Sequence, residues 1–356
     1  MARPLFPDET YAVEAELIRA ISAGDRSPVQ SASVRTKVSR QTVQRILKRL
    51  VDRGDVSATG KTLARRYRVE EVLLNEIVVP ISGLDESSIW RENFQRFFAV
   101  PHSTAMSLSN FAATEMINNA IDHSGGTFVA IAAKRQGAMI QVSITDNGIG
   151  IFRRIQEHFQ LDDIRHAVLD LTKGKLTTDP ARHSGLGIFF SSRACAQFAI
   201  MANNLMLTHL GSGNDYLLDA GDFDSGTYVS MLFPMQSDLT LAQLFDKYAA
   251  DGSAGFDKTI VPISLAEFGQ ESLISRSQAK RVLVRIDRFK EAMFDFEDVS
   301  TVGQAFADEI FRVFAIAHPS VNLRVANANS DVKRMIELAL IGLREHSPDA
   351  PVAEFI

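Results

Sequence analysis

The residues with the clearest potential for chemistry lie in the middle of the chain, beginning with residues 115–123. Glu115 and Asn119 are four residues apart, so an α-helix would bring both side chains to one face. A carboxylate beside a carboxamide oxygen suits Mg²⁺, which prefers hard oxygen ligands and keeps several of its waters. This stretch therefore indicates a helix that offers a magnesium ligand and a carboxylate able to activate a water.

Two further stretches are rich in glycine and adjoin regular elements. Asp146, followed by Gly148 and Gly150, comes directly after a strand predicted over residues 138–144. A carboxylate there can accept a hydrogen bond from the exocyclic amine of adenine, and the glycines let the backbone approach a base or ribose closely. The other stretch opens a helix, whose free N–H groups and positive dipole suit a phosphate. It comprises His183, Ser184, Gly185, Leu186 and Gly187.

Each stretch alone also has a common structural explanation: a tight turn, close packing of a glycine, or a solvated helix face. Their residue types and order together resemble the asparagine box and the two glycine boxes of the GHKL ATPases. This superfamily includes the gyrase, heat-shock chaperone, histidine kinase and mismatch-repair ATPases. Gly226 and Thr227, before a predicted strand, match the closing Gly-Thr of the superfamily. The resemblance covers residues 107–234.

The resemblance implies a GHKL (Bergerat) α/β sandwich that binds ATP and Mg²⁺. Glu115 would polarise the attacking water or hydroxyl, Asn119 would bind magnesium, and Asp146 would hold adenine. The segment between the glycine boxes would be an ATP lid, whose basic residues are either phosphate contacts or solvated charges: Lys173, Lys175, Arg182 and His183. The other nucleotide-binding residues implied are Asp122, His123, Gly148, Gly150, Ser184, Gly185, Leu186, Gly187 and Thr227.

The first 70 residues differ in charge from the rest of the chain. They carry a net charge of +6, against −11 for the remainder, an asymmetry typical of a nucleic-acid-binding module on an acidic body. Three predicted helices and a hairpin around Gly60 follow the order of a winged helix-turn-helix. Side chains on the polar side of the third helix would reach a major groove, and the hairpin would contact phosphates. The alternative is a solvated or protein-binding surface. The DNA-binding candidates are Arg40, Gln41, Gln44, Arg45, Lys48, Arg65 and Arg66.

The last hundred residues alternate strands with helices, which indicates a small α/β layer. Residues 275–280, 294–299 and 303–309 resemble the STAS-like α/β domain often found behind such ATPases. STAS anti-anti-sigma proteins have a phosphorylatable serine where this chain has Gln304 and Ala305, so the usual acceptor hydroxyl is missing. Helix capping and surface charge explain the remaining polar residues better than catalysis does. These are Ser275, Ser277, Asp308 and Glu309.

The predicted fold class is therefore multidomain α+β. The composition also indicates the cellular compartment. The segments are a winged helix-turn-helix at 1–70, the ATP-binding domain at 71–235, a linker at 236–255 and the STAS-like domain at 256–356. Cys195, the single cysteine, excludes a disulfide framework. No stretch approaches the ~20 apolar residues that span a bilayer, so we expect a cytoplasmic protein without a membrane partner. Within the ATP-binding domain, residues 152–184 are predicted to be irregular and residues 187–201 helical.

These inferences lead us to expect a cytoplasmic regulator that binds Mg-ATP, hydrolyses it slowly and thereby switches a DNA-binding domain. The alternative is a serine/threonine kinase of the anti-sigma-factor type, which would phosphorylate a STAS-like partner of the sigma-regulator class. Whether phosphoryl transfer goes to water or to a protein stays open at this point. A homodimer would match a palindromic DNA site.

Overall fold

The computed structural model describes residues 7–60, 65–98, 104–179, 184–211, 213, 215–249, 256–266, 273–346 and 353–356. Within these residues the protein is a mixed α/β structure with a two-stranded, a seven-stranded and a four-stranded sheet. The three sheets follow one another along the sequence.

The first segment consists of three helices and an antiparallel ribbon, as predicted. Ser39 begins the third helix by accepting a hydrogen bond from the Thr42 N–H, a cap expected of serine. The ribbon pairs Val56 with Val69. Apolar residues of the helices form a core separate from the rest of the protein. The elements are α1 (Pro7–Ser22), α2 (Pro28–Thr36), α3 (Arg40–Asp52), β1 (Val56–Thr59) and β2 (Arg66–Val69).

The middle segment is a seven-stranded sheet in which all neighbouring strands are antiparallel. Its order is β3-β4-β5-β9-β6-β7-β8. Alternate residues of the central strands are buried, as in Val129, Ile131 and Ala133, so one face packs against helices. The strands are β3 (Glu71–Pro80), β4 (Phe128–Gln136), β5 (Met139–Asp146), β6 (Gln197–Ala202), β7 (Leu205–Leu210), β8 (Asp215–Asp219) and β9 (Thr227–Pro234). The helices are α4 (Glu86–Asn93), α5 (Ala105–His123), α6 (Ile151–Phe159), α7 (Ile164–Lys173) and α8 (Gly187–Ala194).

Two secondary-structure predictions for this segment are wrong. Residues 152–184 are not irregular, because they contain α6 and α7. Phe152 and Ile155 bury one face of α6, and the Asp163 side chain caps α7 by accepting from the Arg165 N–H. The helix predicted over 187–201 ends at Ala194, since the following residues alternate inward and outward as the strand β6.

The last segment is a parallel four-stranded sheet, in the order β10-β11-β12-β13, with helices between the strands. The helix predicted from residue 303 to 317 is present and contains a π-helical turn, Glu309–Phe314. The elements are β10 (Lys258–Pro262), α10 (Arg276–Leu283), β11 (Glu291–Asp295), α11 (Gln304–Asp308), α12 (Ala315–Ala317), β12 (Asn322–Ala326), α13 (Ser330–His346) and β13 (Glu354–Phe355).

The middle and last segments share one continuous buried core. The region predicted as a linker contributes to it through a short helix, α9 (Leu241–Asp246). Leu244 and Tyr248 are buried, and the Tyr248 ring lies edge-on against Phe189, with 4.9 Å between ring centroids. Residues 236–249 therefore pack against the middle segment, while residues 250–255 lie outside the described chain.

Candidate functional site

A cavity of about 290 Å³ opens between the helical face of the seven-stranded sheet and the helices α5, α6 and α8. Its floor is made by strands β5, β6 and β9, and its outer wall by residues 171–178 at and after the end of α7. Eight of the residues predicted to form the site line it. They are Glu115, Asn119, His123, Asp146, Ser184, Gly185, Gly187 and Thr227.

Asp146 ends strand β5 and is buried in the cavity floor. Its Oδ1 accepts hydrogen bonds from the N–H of Gly148 at 2.8 Å and from the N–H of Thr227 at 3.2 Å. Burial raises the pKa of Asp146, although these hydrogen bonds oppose the shift. Ile144, Ile200 and Val229 line the same cavity from the strands of its floor. An apolar floor with one anchored carboxylate suits a flat ring that offers a hydrogen-bond donor at its edge.

Glu115 and Asn119 lie on the cavity face of α5, as the four-residue spacing predicts. A Cβ added to Gly187 would lie 2.1 Å from Glu115 Oε2, so the carboxylate packs directly against the first residue of α8. A side chain at residue 187 would displace the carboxylate. Polar groups from α5, the acid and the amide, and from the N-terminus of α8 thus line one cavity.

The glycines after Asp146 lie behind the cavity and do not line it. A Cβ on Gly148 would lie 2.1 Å from the carbonyl oxygen of Ser124, at the end of α5. Gly150 has a φ of +88° and packs against the side chain of Asn203. These glycines let the loop pass close to the end of α5 and to Asn203 before α6 begins. In this structure they shape the backbone around the cavity.

The second glycine stretch is partly described. Gly185 has a φ of +71°, and a Cβ on it would lie 2.6 Å from the backbone of Leu176. Leu186 is the N-cap residue of α8 and does not line the cavity among the described residues. His183, like Arg182, lies outside the described residues.

Three further residues predicted to contact the nucleotide do not line the cavity. Lys175 turns away from the cavity, because Gly174 and Lys175 both have positive φ, at 77° and 54°. Its Nζ donates to the carbonyl oxygen of Arg288 at 2.8 Å and lies 4.5 Å from the ring centroid of Phe289. Asp122 is on α5 outside the cavity lining. Lys173 is fully buried against the last segment.

Sequence reasoning missed several polar residues of the cavity. Arg154 on α6 donates from Nε to the carbonyl oxygen of His123 at 2.9 Å. Thr178 Oγ1 lies 3.2 Å from Nδ1 of His123, which ties the wall to α5. The other polar lining residues missed are Asn118, Ser124 and Thr177. A correct helix assignment for residues 151–159 would have drawn attention to Arg154.

The first segment presents a separate polar surface. The α3 residues predicted to contact DNA are all exposed: Arg40, Gln41, Gln44, Arg45 and Lys48. Arg65 and Arg66 on the ribbon are also exposed. The opposite side of α3 is buried through residues such as Val43, Ile46 and Leu50. The positive side of α3 is therefore available to a partner.

This segment is anchored to the seven-stranded sheet at the turn between β4 and β5. Asp55 is fully buried and pairs with Arg53 and with Arg135, whose Nη2 lies 2.9 Å from Asp55 Oδ1. At the turn, Gly137 lies so close to α1 that a Cβ would be 2.5 Å from the side chain of Ile18. Strand β5 then runs from this turn to Asp146.

Comparison with known families identifies one part of the chain. Residues 278–333 match the model of a family described as a STAS-like domain of unknown function (DUF4325), so the last segment contains a STAS-like domain. The match begins in α10 and ends in α13. No curated protein matches the chain. None of the helices in the described part of the chain has the length and apolar character that a membrane crossing requires.

Proposed function

We propose that the protein is a regulator that binds Mg-ATP in the cavity of its middle segment and couples nucleotide binding to DNA binding by its first segment. The observation that carries this proposal is the convergence of Glu115 and Asn119, Asp146, and Gly187 on one cavity. These residues come from three separate stretches and offer the groups that a GHKL-type site needs.

The chain's own groups fit an adenine nucleotide. Asp146 accepts a hydrogen bond from the adenine amine, and the apolar residues around it receive the ring. The N–H groups at the start of α8 and the guanidinium of Arg154 are donors for phosphate oxygens. Asn119 offers its amide oxygen to Mg²⁺, which, when bound, neutralises charge on the phosphates. Glu115 orients a water and takes its proton as general base.

The DNA-binding half of the proposal rests on the exposed basic side of α3 and on the helix–ribbon order of a winged helix. A link to the cavity is supplied by strand β5, whose two ends meet the anchored first segment and the carboxylate of Asp146. A displacement of Asp146 on nucleotide binding would therefore be transmitted along β5 to the first segment.

The alternative function, a serine/threonine kinase acting on a STAS-like partner in trans, uses the same nucleotide site. The basic surface of α3 favours the DNA-binding regulator, because a kinase of that type has no need of it. Incubation with ATP labelled at the γ-phosphate distinguishes the two: a regulator releases only inorganic phosphate, and a kinase labels protein.

The test of the proposal is DNA binding by the full chain with and without nucleotide. Fluorescence anisotropy of a mixed pool of labelled duplexes at about 50 mM salt keeps phosphate contacts strong enough to detect. We expect Mg²⁺ with a non-hydrolysable ATP analogue to change the Kd at least about fivefold. The double variant Arg45→Ala/Lys48→Ala should weaken binding, while Lys333→Ala on the exposed side of α13 should not. Equal affinity with and without nucleotide would refute the switch.

A further inference from the structure

The outer wall of the cavity contacts the last segment, which contains the STAS-like domain. We call residues 171–178 the wall segment, since Leu171, Leu176, Thr177 and Thr178 line the cavity. The same eight residues include Lys173 and Lys175, whose side chains point the other way and contact the last segment. One short stretch of chain therefore belongs both to the cavity and to the interface.

Lys173 makes the central contact of this interface. It is fully buried, and its Nζ donates to Asp170 Oδ1 at 2.9 Å and to the carbonyl oxygens of Arg281 and Val284, each at 3.3 Å. Arg281 lies in the last turn of α10 and Val284 is its C-cap residue, the end of a helix where carbonyl groups lack intrahelical partners or, as at Arg281, share one. A cation at this end of a helix also interacts favourably with the helix dipole. Lys173 therefore caps α10 from the middle segment.

Further contacts fix the same stretch. Arg285 reaches back from the end of α10 to pair with Asp170, with 3.2 Å between Nη2 and Oδ2. The buried hydroxyl of Thr259 on β10 donates to the carbonyl oxygen of Lys173 at 2.7 Å. Lys175 donates to Arg288, as described above. We call this set the clamp: Asp170, Lys173, Lys175, Thr259 and Arg285.

The position of the wall segment in turn determines the position of the glycine stretch before α8. The backbone of Gly185 lies directly on the backbone of Leu176, and the close approach leaves no room for a side chain. Thr178 is joined to His123 on α5. A shift of the wall segment would therefore move the groups that begin α8 and displace the side chain of His123, which also lines the cavity.

We infer that the last segment, which contains the STAS-like domain, regulates the nucleotide site. Its contacts through the clamp fix the wall segment and so keep the cavity in the conformation that binds nucleotide. This inference rests on the proposed function. Release of the clamp lowers nucleotide affinity, and because coupling between two sites is reciprocal, bound nucleotide tightens the clamp.

The test uses full-length variants that weaken the clamp without touching the cavity lining. Lys173→Met removes the cap on α10 but leaves the Asp170–Arg285 pair, and Thr259→Val removes one hydroxyl with little change of shape. Arg276→Met is the matched control, since Arg276 is an exposed cation at the other end of α10 whose partners are Asp308 and Glu309. Two quantities are measured: hydrogen exchange of the unliganded proteins, and the Kd of a non-hydrolysable ATP analogue with Mg²⁺.

We expect both clamp variants to exchange faster in residues 171–178, 184–190 and 276–283, while the control exchanges as the native protein does. The Kd should rise at least about fivefold for Lys173→Met, within the usual range of coupling between sites, and less for Thr259→Val. Native nucleotide affinity in both variants overturns the inference, and so does native exchange in both. If the native protein binds no nucleotide, the proposed function fails, and exchange at 184–190 still decides whether the clamp positions the start of α8.

Discussion

At the scale of the residue, Asp146 is the carboxylate that most needs a functional explanation. It is buried, and it has no ion-pair partner among the described residues, only N–H and hydroxyl donors. Burial without a compensating cation raises its pKa, so the charged form is less favourable in the folded protein than in the unfolded chain. A stability cost of this kind is typical of binding and catalytic sites.

Asp146→Asn is expected to raise the thermal midpoint of the unliganded protein at pH 7 and to weaken nucleotide binding. A raised native pKa means that stability falls as pH rises through that pKa, and asparagine removes this penalty while its Oδ1 still accepts from Gly148 and Thr227. Loss of a hydrogen bond to a charged group should raise the Kd for ATP about ten- to a hundredfold.

The matched control is Asp163→Asn. The pKa of Asp163 is lowered, chiefly by its hydrogen bond with Arg165, so neutralising this residue should lower the thermal midpoint. Calorimetric melting of the two variants checks the opposite signs. A lower midpoint for Asp146→Asn would contradict our account of this carboxylate.

Glu115→Gln is expected to leave nucleotide affinity unchanged but to reduce phosphate release about 10²- to 10⁴-fold, the usual contribution of a general base. Glutamine keeps the shape that packs against Gly187 and cannot take a proton from water. Phosphate release at saturating ATP, together with the Kd, is the measurement. Native turnover in this variant would exclude Glu115 as the activating group.

Sequence predicted the residues of the cavity best where spacing alone determines side-chain direction. Glu115 and Asn119 share a helix face, and Asp146 ends a strand, so their placement follows from local geometry. Lys175 could not be placed in this way, because two successive positive φ angles turn it toward the last segment. Arg154 was missed because its helix was taken for an irregular region.

At the scale of the element, α7 connects the cavity to the STAS-like segment. All its residues from 166 to 173 are buried, polar and apolar alike, since both sides of the helix are covered. Such burial removes the simple amphipathic pattern on which sequence-based helix assignment depends. The helix predicted over 187–201 is too long, because the spacing of buried residues changes from three or four to two after Ala194.

Acid is expected to weaken the interface that α7 makes with α10. Burial, helped by the nearby charge of Arg281, lowers the pKa of His166, against the opposing charges of Asp163, Asp170 and Asp162. The unfolded chain then binds the proton more tightly, so stability is complete above the unfolded-state pKa of about 6.5 and falls as pH drops below it.

The measurement is the free energy of unfolding of the native protein and of His166→Gln between about pH 7.5 and 5.5, a window that brackets the unfolded-state pKa of histidine. Glutamine does not titrate there, so the variant should lose less stability on acidification. Parallel pH profiles for the two proteins would show that His166 does not contribute.

At the scale of the whole molecule, the first and middle segments are joined by a short connection, and the middle and last segments by a shared core. A single residue, Glu70, separates β2 of the first segment from β3 of the seven-stranded sheet, and the middle and last segments share a core. The sequence indicated three segments through charge asymmetry and motif order. It did not indicate the shared core, because the contacts of Lys173, Thr259 and Tyr248 join residues far apart in the chain.

Our proposed function requires that the cavity of the middle segment recognise an adenine nucleotide. Isothermal titration of the full chain with Mg²⁺ and non-hydrolysable analogues of ATP and GTP tests it most directly. Two temperatures are needed, because a binding enthalpy can pass through zero at one of them. We predict saturable binding of the ATP analogue and binding at least about tenfold weaker for the GTP analogue, since guanine presents an acceptor to Asp146 where adenine presents a donor. No heat at either temperature, or equal affinity for the two analogues, would contradict the claim.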